Sequence, residues 1–172
     1  MAVAVEELDA KSARPAIPEL AAVLADCVAG GASVGFMDGF GVANAALYFK
    51  AVFASVEEGN TILLAARDGR RIVGTVQLGL DTMPNQPHRA DLKKLLVHRA
   101  ARGKGVGEAL MTAAEKIARR EGRRLLTLDT VTESSGWRLY KRLGWTEAGI
   151  IPDYALFPDG TYCDTTIFWK RV

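Results

Sequence analysis

Arg102-Gly103-Lys104-Gly105-Val106-Gly107 is the stretch that decides how this chain is read. Upstream lies Arg89–Val97, apolar toward its end, which predicts a strand. Downstream, Val106, Leu110, Ala113, Ala114 and Ile117 recur at helical spacing. Gly105–Arg120 therefore reads as an amphipathic helix, closed by Gly122. Glycines between strand and helix let the backbone come close to a ligand. The first amides of a helix have no intrahelical partner, and its dipole favours an anion there. Such a turn suits a phosphate, and Arg99, Arg102 and Lys104 add positive charge. Taken alone, the six residues also describe a glycine-rich turn with a solvated basic edge. Two other phosphate motifs fit less well. The Walker pattern needs Ser or Thr after Gly-Lys, whereas Gly105 follows Lys104. The dinucleotide fingerprint needs a third glycine where Glu108 stands.

Working outward, Ala2–Leu8 reads as an opening strand and Pro15–Ala29 as a helix with Pro15 and Pro18 near its start. Gly30–Phe36 is a loop, and Phe40–Val56 returns to helical character until Glu58-Gly59-Asn60. Thr61–Arg67 and Arg71–Leu80 flank Asp68-Gly69, the clearest hairpin signal in the chain. Leu125–Val131 reads as a strand and Ser134–Leu143 as a short helix stopped by Gly144. Trp145–Tyr154 and Thr161–Lys170 read as final strands around Pro158-Asp159-Gly160. This order predicts an α/β (α+β) mixed sheet with helices on both faces.

The bulk composition bounds the rest. With 172 residues, 49% apolar and 24% charged, the chain is expected to form one domain, residues 1–172, that needs neither disulfides nor metal to hold a core. A formal charge of +2 gives no reason to expect nucleic acid as a partner. No apolar run reaches the roughly 18 residues of a membrane span, and no basic-then-apolar leader opens the chain. The expectation is therefore a cytoplasmic protein with no membrane partner. Cys27 and Cys163 lie far apart with no CxxC pattern, which reads as two reduced thiols. His88 and His98 form no ligand cluster, so no metal is expected.

Two motifs then carry a resemblance. Arg102-x-x-Gly105-x-Gly107, after a strand ending Lys94-Leu95-Leu96-Val97, resembles the acyl-CoA signature of the GNAT superfamily of N-acetyltransferases. Leu139-Tyr140-Lys141-Arg142-Leu143-Gly144-Trp145 resembles the family's "L-Y-x-x-x-G-[FW]" ending. The resemblance implies a mostly antiparallel seven-stranded sheet, splayed between its central strands, and acetyl-CoA as acyl donor. A narrower resemblance runs through Gly30–Met37, Arg89-Ala90-Asp91, Leu128-Asp129-Thr130 and Pro158-Asp159-Gly160. It points to the tabtoxin-resistance acetyltransferases, which act on the α-amino group of a toxic β-lactam amino acid. Many relatives are dimers, so a homodimer stands among the partner expectations.

The resemblance also implies roles. Leu96 and Val97 would pair through main-chain atoms with the pantetheine arm. Arg102, Gly103, Lys104, Gly105, Val106 and Gly107 would hold the pyrophosphate through amides. The Val97 amide would face the carbonyl under attack. Asp91 is the first candidate base and Asp129 the second, and Tyr140 is the candidate acid toward the leaving sulfur. Either aspartate could equally be structural, Asp91 beside Arg89 at a strand edge and Asp129 as a strand-end cap. Ser33, Val34, Gly35 and Phe36 would line the acceptor pocket. Glu133 departs from the family pattern, which often has Asn seven residues before the tyrosine. The leading expectation is transfer of an acetyl group to the primary amine of a small molecule, a toxin or antibiotic among the options. A protein lysine or N-terminal acetyltransferase and a non-catalytic acyl-CoA sensor are the alternatives.

Overall fold

The computed structural model of the chain describes residues 3–172. Seven strands and four helices follow in the order β1 (Ala4–Leu8), α1 (Ala10–Ala29), α2 (Val42–Glu57), β2 (Thr61–Asp68), β3 (Arg71–Gly79), β4 (Arg89–Val97), α3 (Val106–Arg120), β5 (Leu125–Val131), α4 (Ser135–Arg142), β6 (Thr146–Leu156) and β7 (Tyr162–Arg171). Ala2, where the sequence places the start of the first strand, lies outside the described residues. The strands form one sheet in the order β1-β2-β3-β4-β5-β7-β6. Every neighbouring pair is antiparallel except β4 and β5.

The parallel pair positions the site. β4 and β5 are in register only at Arg89–Leu125, Ala90–Leu126 and Asp91–Thr127. Beyond Asp91 they diverge, while β5 stays paired with β7 through Val131. This is the splay that the family resemblance implies.

Each face of the sheet buries its own core. Ile62, Leu64, Val76, Leu78, Leu92, Leu126 and Phe168 pack with α3 and with Tyr140 and Trp145. Leu63, Ala65 and Leu96 pack with Leu20, Leu24, Phe49 and Phe53 of α1 and α2. Ala90 and Leu92 face α3, yet Leu96, also even-numbered, faces α1. A bulge reverses the alternation: the register runs Thr75–Leu96 and then Gln77–Lys93, so Lys94 and Leu95 together stand opposite Val76. Lys94 takes a left-handed backbone, φ 55°.

α1 begins earlier than the sequence predicts. The Asp9 carboxylate accepts from the amides of Lys11 (3.1 Å) and Ser12 (2.7 Å), and the helix runs from Ala10 through both prolines. A good cap outweighs the helix hydrogen bonds that Pro15 and Pro18 forgo.

Candidate active site

A cleft of about 860 Å³ runs through the splay. On the α3 face its walls include Gly103, Gly105, Val106, Gly107, Leu139 and Tyr140, and on the α1–α2 face Ser33, Val34, Gly35, Lys94 and Asp129. Because β4 and β5 part, one continuous space reaches both faces of the sheet.

The glycine-rich turn between β4 and α3 gives each glycine different work. Gly103 (φ 75°) and Gly105 (φ 79°) adopt left-handed backbone, and a Cβ on either would meet nothing within 4 Å. They are needed for the turn, which leaves open space beside it. Gly105 caps α3, and the first intrahelical bond runs from the Ala109 amide to the Gly105 carbonyl at 3.0 Å. The amides of Val106, Gly107 and Glu108 therefore lie free at the helix start. Gly107 serves packing, since a Cβ there would come within 3.0 Å of Leu139 on α4. Such a set of free donors at the positive end of a helix dipole fits a pyrophosphate.

Two expected cradle residues are placed differently. The Arg102 amide donates to the Arg99 carbonyl at 3.3 Å, and its Nε donates to the Val97 carbonyl at 3.2 Å. Arg102 thus braces the end of β4 and contributes charge to the cleft wall. Lys104 is exposed and outside the cleft lining.

Leu96 and Val97 also separate. The His98 amide donates to the Val73 carbonyl at 2.9 Å. Antiparallel ladders alternate, so the Leu96 main chain is turned toward Thr75 of β3 and the Val97 groups face away from β3, into the splay. Leu96 instead buries its side chain against α1. On the facing strand, the Thr132 amide bonds the Asp164 carbonyl at 3.0 Å, so by the same alternation Asp129 and Val131 turn their main chains toward β4.

Asp129 lines the cleft, but Asp91 does not. Asp91 sits where β4 and β5 are still paired, and its Oδ1 accepts from both Arg89 Nη1 and Thr127 Oγ1. These bonds tie its carboxylate to the closed end of the splay, so the two candidate bases are not brought together.

Tyr140 is buried against Trp145 and Phe168, with ring centroids 6.1 and 5.8 Å away. Burial first, and then the charge of Asp129, push its phenol above the ordinary range. It therefore stays protonated, a donor beside the cleft. Cys27 also lines the cleft, but burial raises its thiol, and it donates weakly to the Val97 carbonyl at 3.5 Å. A neutral buried thiol is a poor nucleophile.

The α1–α2 loop closes one end of the cleft. Ser33 Oγ donates to the Leu156 carbonyl at 2.6 Å, and the Asp38 amide donates to Pro158 at 3.0 Å. Both bonds pin the loop to the β6–β7 hairpin. Phe36 lies outside the lining, stacked on Phe40 with centroids 4.0 Å apart. It forms a second layer behind Lys94, whose Nζ stands 5.9 Å from its ring centroid.

Lys94 is the residue that sequence reading misses. In an ideal strand it would point toward α3, and only the bulge turns it to the α1–α2 face. The adjacent pair Lys93-Lys94 was the available signal, because a regular strand cannot place two consecutive lysines on one solvated face. Glu133 occupies a left-handed position, φ 60°, a conformation that Asn adopts more readily than Glu. Among the described residues, no group of three or more His, Cys, Asp or Glu is arranged to hold a metal.

The sequence model of the acetyltransferase (GNAT) family matches residues 20–145, and this chain belongs to that family. Solved structures show the same fold at low identity. One is yncA, an assigned acetyltransferase from Salmonella typhimurium with its cofactor acetyl-CoA (18% identity, TM-score 0.79, covering 99% of this chain and 94% of that one). Another is the ribosomal-protein-alanine N-acetyltransferase of Brucella melitensis (18%, TM-score 0.80, covering 98% and 99%). A third is an assigned phosphinothricin N-acetyltransferase (19%, TM-score 0.79, covering 99% and 98%).

Proposed function

We propose that this chain transfers the acetyl group of acetyl-CoA to the primary amine of a small molecule, as the tabtoxin-resistance resemblance implies. One observation carries the reading: the cleft crosses the sheet, with phosphate-binding amides and Tyr140 on one side and an acceptor space roofed by the α1–α2 loop on the other. A roofed space suits a small acceptor better than a polypeptide, which needs an open groove. The neighbours do not choose between the two, since one is named for a protein substrate and another for a small one.

The α3 amides would hold the pyrophosphate, and the Val97 amide faces the splay, where the thioester carbonyl would lie. Acetyl-CoA supplies the activated acyl group. The acceptor amine must be neutral to attack. A lysine-like amine, pKa about 10.4, costs about 4–5 kcal/mol to deprotonate near pH 7, whereas the α-amine of a peptide terminus, pKa about 8, costs only about 1 kcal/mol. A small acceptor whose amine lies above the peptide-terminus value needs a group to take up its proton, and Asp129, on the cleft wall, would orient the amine and pass that proton to water. Tyr140 would protonate the departing sulfur.

A thiol-release assay with acetyl-CoA across amino acids, aminoglycosides, polyamines and peptides tests the reading. Turnover confined to small amines supports it. Turnover only with peptides moves the assignment to protein acetylation. Binding of acetyl-CoA without turnover of any amine leaves a sensor.

A further inference from the structure

Glu115 is a charged residue on the buried face of α3. It stands beside Met111, Ala114 and Ala118 and is itself only 8% exposed. Its Oε1 accepts from Trp145 Nε1 at 3.1 Å and from Lys170 Nζ at 2.8 Å, and its Oε2 accepts from Lys170 Nζ at 2.9 Å. Arg119, one turn on, reaches Oε2 only at 4.0 Å. Lys170 Nζ also donates to the Leu143 carbonyl at 2.7 Å. A buried ion pair is a weak source of stability, since packed apolar side chains of similar volume do as well or better. What it supplies is direction, because charge-assisted hydrogen bonds fix where each partner lies.

The partners belong to the turn that ends α4. Leu143 caps that helix, and Trp145 follows Gly144. The Tyr140 carbonyl accepts from the Trp145 amide at 3.0 Å. With 8 residues, α4 is too short to hold its shape by its own hydrogen bonds, so its pose depends on what it docks against. The Tyr140 hydroxyl has no hydrogen-bond partner among the described residues, and the packing of its ring against Trp145 and Phe168 aims it. Glu115 holds Trp145 by its indole, and Lys170 stands two residues from Phe168 on the same face of β7.

The helix that carries Glu115 also carries the free amides at the glycine-rich turn. At 1.5 Å per residue, Glu115 lies about 12 Å along α3 from Gly107. One rigid element thus sets both ends of the reacting space. We propose that Glu115, together with Lys170, is a positioning residue that clamps the Leu143–Trp145 turn to α3 and so fixes Tyr140 at a set distance from the phosphates of the cofactor. The assignment rests on the reading of Tyr140 as the acid toward the leaving sulfur, and concerns how that acid is held. Glu115 is no part of the cleft wall, so it acts only through Tyr140.

The test removes both charges together, Glu115→Met with Lys170→Met, so that neither is left buried alone. The full chain should keep its melting temperature and its KM for acetyl-CoA, while kcat falls about 10- to 100-fold, the scale of a misplaced catalytic group. In a Tyr140→Phe background the same pair should cost no further kcat, since the hydroxyl that it places is gone. Glu115→Gln has the same shape and still accepts from Trp145, so it should retain more of kcat, and it carries the same comparisons if the pair variant does not fold. A readout apart from turnover is the fluorine NMR spectrum of the chain labelled with 3-fluorotyrosine. Of the 4 tyrosines, Tyr140→Phe identifies the one that matters. The pair variant should shift or broaden the Tyr140 resonance and leave those of Tyr48, Tyr154 and Tyr162 in place. An unmoved Tyr140 resonance overturns the proposal, and so does an equal loss of kcat with and without the Tyr140 hydroxyl. A kcat that holds in the pair variant although Tyr140→Phe lowers it, or one that falls only in step with the melting temperature, also overturns it. A resonance that moves while Tyr140→Phe keeps full turnover leaves the positioning standing and sinks the acid reading instead.

Discussion

Tyr140 is a phenol whose protonated range its surroundings extend. A phenol already protonated at neutral pH becomes harder to ionise when buried beside Asp129, so it can donate across the working range and beyond pH 10. Tyr140→Phe should lower kcat by about 100-fold or more, the usual scale of general acid catalysis, with little change in KM for acetyl-CoA. Steady-state kinetics check this, and unchanged turnover means that another group protonates the sulfur. The aspartates should part company under the same treatment. Asp129→Asn should lower kcat/KM and alter the pH–rate profile. Asp91→Asn should leave the profile's shape alone and lower the melting temperature, because its carboxylate holds Arg89 and Thr127 at the closed end of the splay. A profile altered by Asp91→Asn and untouched by Asp129→Asn would reverse their roles. Gly105 bears on the cradle directly. A valine there would carry a β-branched side chain at φ 79°, so Gly105→Val should abolish thermal stabilisation by acetyl-CoA. Stabilisation that persists in this variant removes the cradle from that turn.

Elements are joined at the site by one carboxylate. Asp26 on α1 accepts from the Arg99 amide at 2.8 Å and from Arg99 Nε at 2.9 Å, fixing the short turn that links β4 to the cradle. Burial alone would raise its pKa, but the Arg99 bonds and the neighbouring positive charge hold it below the ordinary carboxylate value. A carboxylate depressed in the folded state stabilises the protein fully above its unfolded pKa of about 3.9 and loses that contribution as pH falls through the folded value. Asp26→Asn should therefore lower the melting temperature near pH 7, with the gap to the parent closing as the pH drops below about 4. Melts between pH 7 and 3 check the sign, and a gap that widens on acidification contradicts it. The β4 bulge works between the same elements. It sends Leu96 into the α1 core and Lys94 into the cleft while Leu92 remains with α3.

For the molecule as a whole, the cleft is a gap between two cores that share one sheet. A ligand filling it touches α1, α3, α4 and the two parted strands, and so stabilises the folded state in proportion to its occupancy. At one hundred times its dissociation constant, acetyl-CoA should add about 2.7 kcal/mol. For a chain of this size each kcal/mol raises the melting temperature by about 2–4 °C, so a rise of roughly 5–10 °C is expected. Differential scanning fluorimetry measures it. A comparable rise with ATP or NAD and none with acetyl-CoA would point to a nucleotide site.

Local patterns were legible because the chemistry they encode is local. A left-handed turn needs glycine at Gly103 and Gly105, an amphipathic helix follows from its own spacing, and a Gly-Trp stop after Tyr140 sits within one short segment. The glycine turn, the hairpin, the order of elements along the chain and the family could therefore be read without coordinates. The α1–α2 side of the cleft could not, because the direction of a side chain in a sheet depends on register, and a single bulge reverses it. Lys94 enters the cleft and Leu96 commits its main chain to β3 for that reason. Asp91 and Asp129 look alike in sequence, each an aspartate in a strand, and differ only in lying below or above the point where β4 and β5 part. The sequence by itself determined the family and which helix opens on a glycine-rich turn with free amides. The tertiary structure decided which charges share the space beyond it, because that depends on where two strands stop pairing, and no short stretch of chain encodes it.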